Sequence, residues 1–105
     1  MRYDIFAGLG GGYGGAYWVA TEDHPNEASA DQSAFEHARE IWESYGGVSG
    51  IEGYTFDEYL NDYPDGTEED YNCVDGESLE SWADFYVEEV PADAPADYEY
   101  DGDLK

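Results

Sequence analysis

A chain in which 27 Asp and Glu side chains are set against three Lys and Arg cannot be held together by ion pairing. The bases are Arg2, Arg39 and Lys105, two of them near the termini, and the formal charge is −24. Nearly every carboxylate lacks an internal partner, so self-repulsion opposes the compact state and salt relieves it only in part. Apolar burial has to carry the fold. Leu and Ile are few, but aromatic residues make up 17% of the chain, 11 of them Tyr, and each ring removes a large area from water. That separates the composition from a wholly disordered acidic one. At 105 residues there is room for one domain, burying roughly 60–65% of its unfolded surface.

The charge also selects partners. Anionic membranes and bare nucleic acid repel such a chain, whereas a basic protein attracts it. Cys73 stands alone, so no internal disulfide forms, which fits a reducing compartment. Met1 to Phe6 lack the apolar stretch of a signal peptide, and no run approaches 18 apolar residues. The expected location is cytoplasmic.

Residues 3–9 and 16–21 read as strands, joined across Gly10 to Gly15 by a hairpin connection that the glycines favour. Ser29 and Gln32 form an S-x-x-Q capping box, followed by Ala34, Ala38, Ile41, Trp42 and Tyr45 at helical spacing. A helix is expected over 29–45, ended by Gly46 and Gly47. Thr55-x-x-Glu58 opens a short helix with Phe56, Tyr59, Leu60 and Tyr63 on one face, closed by Pro64 and Gly66. Residues 64–77 read as an acidic loop. Leu79, Trp82, Ala83, Tyr86, Val87 and Val90 fit a helical stripe, yet 82–90 is rich in strand formers, and a lone hairpin wants a third strand. A strand over 82–90 after a helical turn is preferred. The expected architecture is α+β over 1–90: a small antiparallel sheet, made of the N-terminal hairpin and a C-terminal strand, packed on one main helix and a short second one. Residues 91–105 read as a loosely ordered acidic tail. The expected core is Ile5, Phe6, Tyr17, Val19, Ala34, Ala38, Ile41, Trp42, Phe56, Leu60, Trp82 and Val87.

Motifs for catalysis or cofactors are weak. Gly10, Gly12 and Gly15 match G-x-G-x-x-G, but a strand rather than a helix follows, and no lysine precedes Lys105 to hold phosphates. His24, His37 and Cys73 fit no zinc or Cys–His nucleophile spacing. Asn61 to Gly66 begins like a calcium loop, but Tyr63 stands at the third position, where an oxygen ligand is needed, and Asn72 at the twelfth, where a bidentate Glu is needed. Carboxylate pairs are too abundant to indicate glycosidase chemistry. No enzymatic activity, cofactor or metal is expected.

The acidic side chains themselves are the candidate site. Glu36, Glu40 and Glu43 share one helix face, followed by Asp57, Glu58 and Asp62 on the short helix and Glu68, Glu69 and Asp70 beyond it. A compact chain of this length is about 33 Å across, and B-DNA of that length carries about 20 phosphates, close to the charge of the protein. Tyr45, Tyr54, Tyr59, Tyr63 and Tyr71 are interleaved where bases would stack on arginine. In size, charge and dispersed acidic helices the chain resembles the small acidic anti-defence proteins of phages and plasmids, the DNA-mimic antirestriction and anti-CRISPR inhibitors. The order of strand, turn, strand bearing Trp18 and acidic helix is similar to antirestriction proteins of the ArdA type. The resemblance implies stoichiometric inhibition of a restriction or CRISPR-Cas nuclease at its DNA site. Two other readings stand beside it: a high-salt protein whose acidity serves solvation, and a small adaptor for a basic protein whose nucleic-acid site stays free.

Overall fold

The computed structural model describes residues 1–95 and Tyr98. Strands β1 (Arg2–Leu9) and β2 (Gly15–Asp23) form the expected hairpin, joined through a single 3-10 turn at Gly11–Tyr13. They are followed by helices α1 (Glu27–Ser44), α2 (Gly47–Ile51), α3 (Phe56–Asp62) and α4 (Glu68–Trp82), and by strand β3 (Ala83–Glu89). The sheet is antiparallel in the order β2-β1-β3, so the C-terminal strand completes it beside β1.

β1 is central, and seven of its eight residues are buried. α1 lies across β1 and β3 and scarcely touches β2. Ala30, Ala34, Ala38 and Trp42 recur every fourth residue on its inward face, and the three alanines allow a close approach to the sheet. Tyr3 and Ile5 pack there with Ala30, Ala34, Val19 and Val87. A second cluster joins Leu9, Trp42, Val48 and Leu79, flanked by Ile41, Tyr54, Tyr71 and Trp82. The core is therefore two clusters in series, with α2 and α3 packed on α4. Its radius of gyration is 17.1 Å and its extents are 58 × 28 × 16 Å, against about 13 Å for a compact chain of this length. The molecule is elongated, and the sequence-based diameter of about 33 Å is too short.

Four local expectations change. The N-cap of α1 is Asn26, whose Oδ1 accepts from the Ser29 amide at 2.9 Å, while the Ser29 hydroxyl is engaged with His24. Gly46 and Gly47 do end α1, both at positive φ, but they also open α2. Residues 68–77, expected in a loop, are helical: Thr67 and Asp70 cap α4 reciprocally, and Glu68, Glu69 and Asp70 oppose the positive end of its dipole. Tyr17, expected in the core, is 54% exposed. It sits on an edge strand that α1 leaves uncovered, next to a bulge where the pairing with β1 passes from Ala20 to Trp18.

Of the expected tail, residues 96, 97 and 99–105 lie outside the described residues. Its described part meets β1: Arg2 donates to the carbonyls of Ala94 and Pro95, each at 3.2 Å, and the Tyr98 hydroxyl donates to Asp4 Oδ2 at 2.8 Å. Asp4 is buried in the central strand, and Thr21 donates to its other oxygen at 2.7 Å. A carboxylate at that depth needs both bonds.

Candidate functional site

The acidic segment 54–75 folds as a helical hairpin. Thr55 caps α3 by accepting from the Glu58 amide at 3.2 Å. α3 ends at Asp62, and Tyr63-Pro64-Asp65-Gly66 closes a β-turn in which the Gly66 amide donates to the Tyr63 carbonyl at 2.9 Å. Proline at the second position and glycine at the fourth suit that turn. Gly66 is also required by packing, because a Cβ there would come within 2.4 Å of Tyr59 Cε2. The capping box of α4 follows at once.

Rings fill the inside of this hairpin. Tyr59 is buried and contacts Tyr63 at 5.1 Å and Tyr71 at 5.8 Å between centroids, while Phe56 meets Tyr71 at 5.5 Å. The Tyr71 hydroxyl donates to the Tyr54 carbonyl at 2.6 Å, and the Tyr54 hydroxyl to Asp62 Oδ2 at 3.1 Å. Burial pushes the hydroxyls of Tyr54, Tyr59 and Tyr71 above their ordinary pKa, and the charges of Asp62, Asp70 and Asp75 respectively push in the same direction. The rings stay neutral throughout the physiological range. At the turn an open pocket of about 360 Å³ is lined by Tyr59, Asp62, Tyr63, Pro64, Asp65, Gly66 and Asp70.

The nine sequence-predicted site residues fall into two groups. On α1, Glu40 and Glu43 are exposed, whereas Glu36 is half-buried, receives Gln32 Nε2 at 3.1 Å and pairs with Arg39 at 3.4 Å. The other six belong to the hairpin: Asp57 and Glu58 in the first turn of α3, Asp62 at its end, and Glu68, Glu69 and Asp70 in the first turn of α4. Only Asp62 and Asp70 of these reach the cavity. Asp65, which belongs to the same acidic run but stands outside the nine, lines it as well, and the Pro-Asp-Gly turn beside Tyr63 is the signal that points to it. Of the five tyrosines considered for stacking on arginine, Tyr63 and Tyr45 are exposed, and Tyr54, Tyr59 and Tyr71 pack on one another.

His24 and His37 also converge, on Glu22. His24 Nε2 lies 2.8 Å from one Glu22 oxygen, to which Ser33 donates as well, and His37 Nε2 lies 2.9 Å from the other. Burial pushes the Glu22 carboxyl up, but the hydrogen bonds from His37, Ser33 and His24 and the charge of His37 outweigh it and hold it at about 2. The cluster pins the end of β2 to α1. Cys73 is exposed on α4 and takes no part. Among the described residues, no three His, Cys, Asp or Glu are placed to share a metal ion.

No helix of the described residues is long and apolar enough to cross a membrane. No family model, curated protein or solved structure matches the chain.

Proposed function

We propose that this protein is an acidic inhibitor that acts in the cytoplasm by occupying the basic nucleic-acid-binding cleft of a host defence protein, a CRISPR-Cas or restriction nuclease, in place of DNA. The observation that carries this reading is the uncompensated charge on helical surfaces. Glu40 and Glu43 on α1, Asp57 and Glu58 on α3, and Glu68 and Glu69 on α4 are all exposed. Meanwhile Arg2 and Arg39 are committed elsewhere, to the Ala94 and Pro95 carbonyls and to Glu36. Fixed carboxylates on an elongated body release counterions from a cationic cleft as a duplex does. Binding of this kind needs no cofactor and no bond chemistry.

The test is competition for DNA. In about 0.05 M salt, where phosphate-type contacts are strong, near-equimolar protein should displace a labelled duplex from a purified restriction nuclease or CRISPR-Cas effector. The quadruple variant Glu40→Lys, Glu43→Lys, Glu58→Lys, Glu69→Lys should keep the parent's circular dichroism and lose displacement. Unchanged displacement by that variant overturns the reading. A parent chain that folds only in concentrated salt favours an acidity that serves solvation.

A further inference from the structure

We infer that the cavity at the α3–α4 turn receives an arginine side chain of the basic partner. The inference rests on the inhibitor reading for where that arginine comes from, and on the cavity itself for its chemistry. A volume of about 360 Å³ lies at the small end of ligand sites and suits one long side chain. Its walls combine two features that a guanidinium uses together. Tyr63 is 59% exposed and packs against the buried Tyr59 ring at 5.1 Å between centroids, so it offers aromatic surface that is open to a ligand and backed by a second ring. Asp62, Asp65 and Asp70 line the same pocket. A guanidinium is planar, stacks on rings and donates two parallel N–H bonds to one carboxylate; the ammonium of lysine is a strongly hydrated point charge that does neither as well.

The walls are set before any ligand arrives. The Tyr54 hydroxyl orients Asp62, the Thr67 amide holds Asp70 Oδ2 at 3.2 Å, and the Tyr63-to-Gly66 turn carries Asp65. Each of the first two bonds occupies one oxygen of its carboxylate, leaving acceptor capacity on the other. Among the described residues Asp65 has neither a hydrogen bond nor an ion pair, and Arg2 and Arg39 are engaged on other elements. The charge of the cavity therefore awaits a cation from outside. Because the three carboxylates are not placed to share a metal ion, an extended organic cation fits the site better than a bare one. Preorganised walls reduce the ordering cost of binding.

The experiment titrates the intact protein with hexa-arginine and hexa-lysine peptides of equal charge by calorimetry in low salt. Hexa-arginine should bind about fivefold more tightly, as one cation–π contact with its bidentate bond provides. Tyr63→Ala, which leaves the net charge unchanged, should reduce the ratio to about one, and Tyr63→Phe should keep it. Equal binding of both peptides to the parent, or a preference that survives Tyr63→Ala, overturns the cavity as an arginine site while leaving the inhibitor reading intact. Failure of both peptides to bind overturns the two together. If Tyr63→Ala proves unfolded, Asp65→Asn on the exposed turn takes its place: a lowered ratio supports the site, and an unchanged one overturns it.

Discussion

Glu22 joins two elements through one carboxylate, and its pKa gives that role a pH signature. The group titrates near 4.5 when unfolded and at about 2 when folded. Its contribution is therefore complete above pH 4.5 and disappears as the pH falls through about 2. The side chain is 29% exposed, so solvent screening reduces the full linkage value to about 1–2 kcal/mol. Glu22→Gln should be destabilised by that amount at pH 7, with urea midpoints of variant and parent converging between pH 4.5 and 2. A gap independent of pH removes the carboxylate charge as its cause. Asp75 is a second such residue: its Oδ1 accepts from Trp42 Nε1 at 3.2 Å and from the Val48 amide at 2.8 Å. Asp75→Ala strands two donors beside the fully buried Trp42 ring and should cost about 2–3 kcal/mol by urea unfolding, whereas Asp75→Asn keeps an acceptor and should recover much of it. Neither residue was legible as structural, because among 27 acids the sequence does not mark which few turn inward.

The same ambiguity explains the element that sequence reasoning lost. The inward stripe of α4 runs through Tyr71, Asp75, Leu79 and Trp82, and a carboxylate in the second place breaks the apolar pattern. Where the stripe is uninterrupted, as in Ala34, Ala38 and Trp42 of α1, the helix was readable, and so was α3 behind Thr55. The hairpin followed from its aromatic strands, and β3 from the need for a third. Tyr17 was misplaced because period-two alternation fails at a bulge. The chemical types of the site were legible, but the cavity was not, since it depends on a turn that brings Asp62 and Asp70 together across two helices. Leu79 and Trp82 anchor the far end of α4 and Tyr71 ties its near end to α3, so the exposed amides ahead of Tyr71 are left to the Thr67 cap. Thr67→Ala removes the side-chain half of the capping box, worth about 1 kcal/mol. Amide exchange at Asp70 to Asn72 should then quicken about fivefold, with little change at Leu79. Equal acceleration along all of α4 refutes a local role for the cap.

At the scale of the whole molecule, charge density decides how the fold and its binding respond to salt. Without Asp97, Glu99, Asp101, Asp103 and Lys105, the net charge of −24 becomes about −21. Along the 58 Å axis that is about one charge per 2.8 Å, against one per 1.7 Å in B-DNA. In charge density the protein is a diluted duplex, so under the proposed inhibitor reading any advantage over DNA has to come from fixed geometry and rings rather than from charge alone. Salt then acts with opposite signs on two observables. Shortening the Debye length from about 30 Å at 0.01 M to about 3 Å at 1 M relieves repulsion among carboxylates that have no internal partner, so the melting temperature should rise. The same screening removes the counterion-release gain on a cationic cleft, so log affinity should fall linearly with log salt. The slope for the protein should be shallower than for a duplex of equal length on the same nuclease, in proportion to its lower charge density. Melting scans and competition titrations over one salt series measure both effects. If affinity holds constant while stability climbs, the carboxylates serve the solvation of the chain and are not the surface that binds.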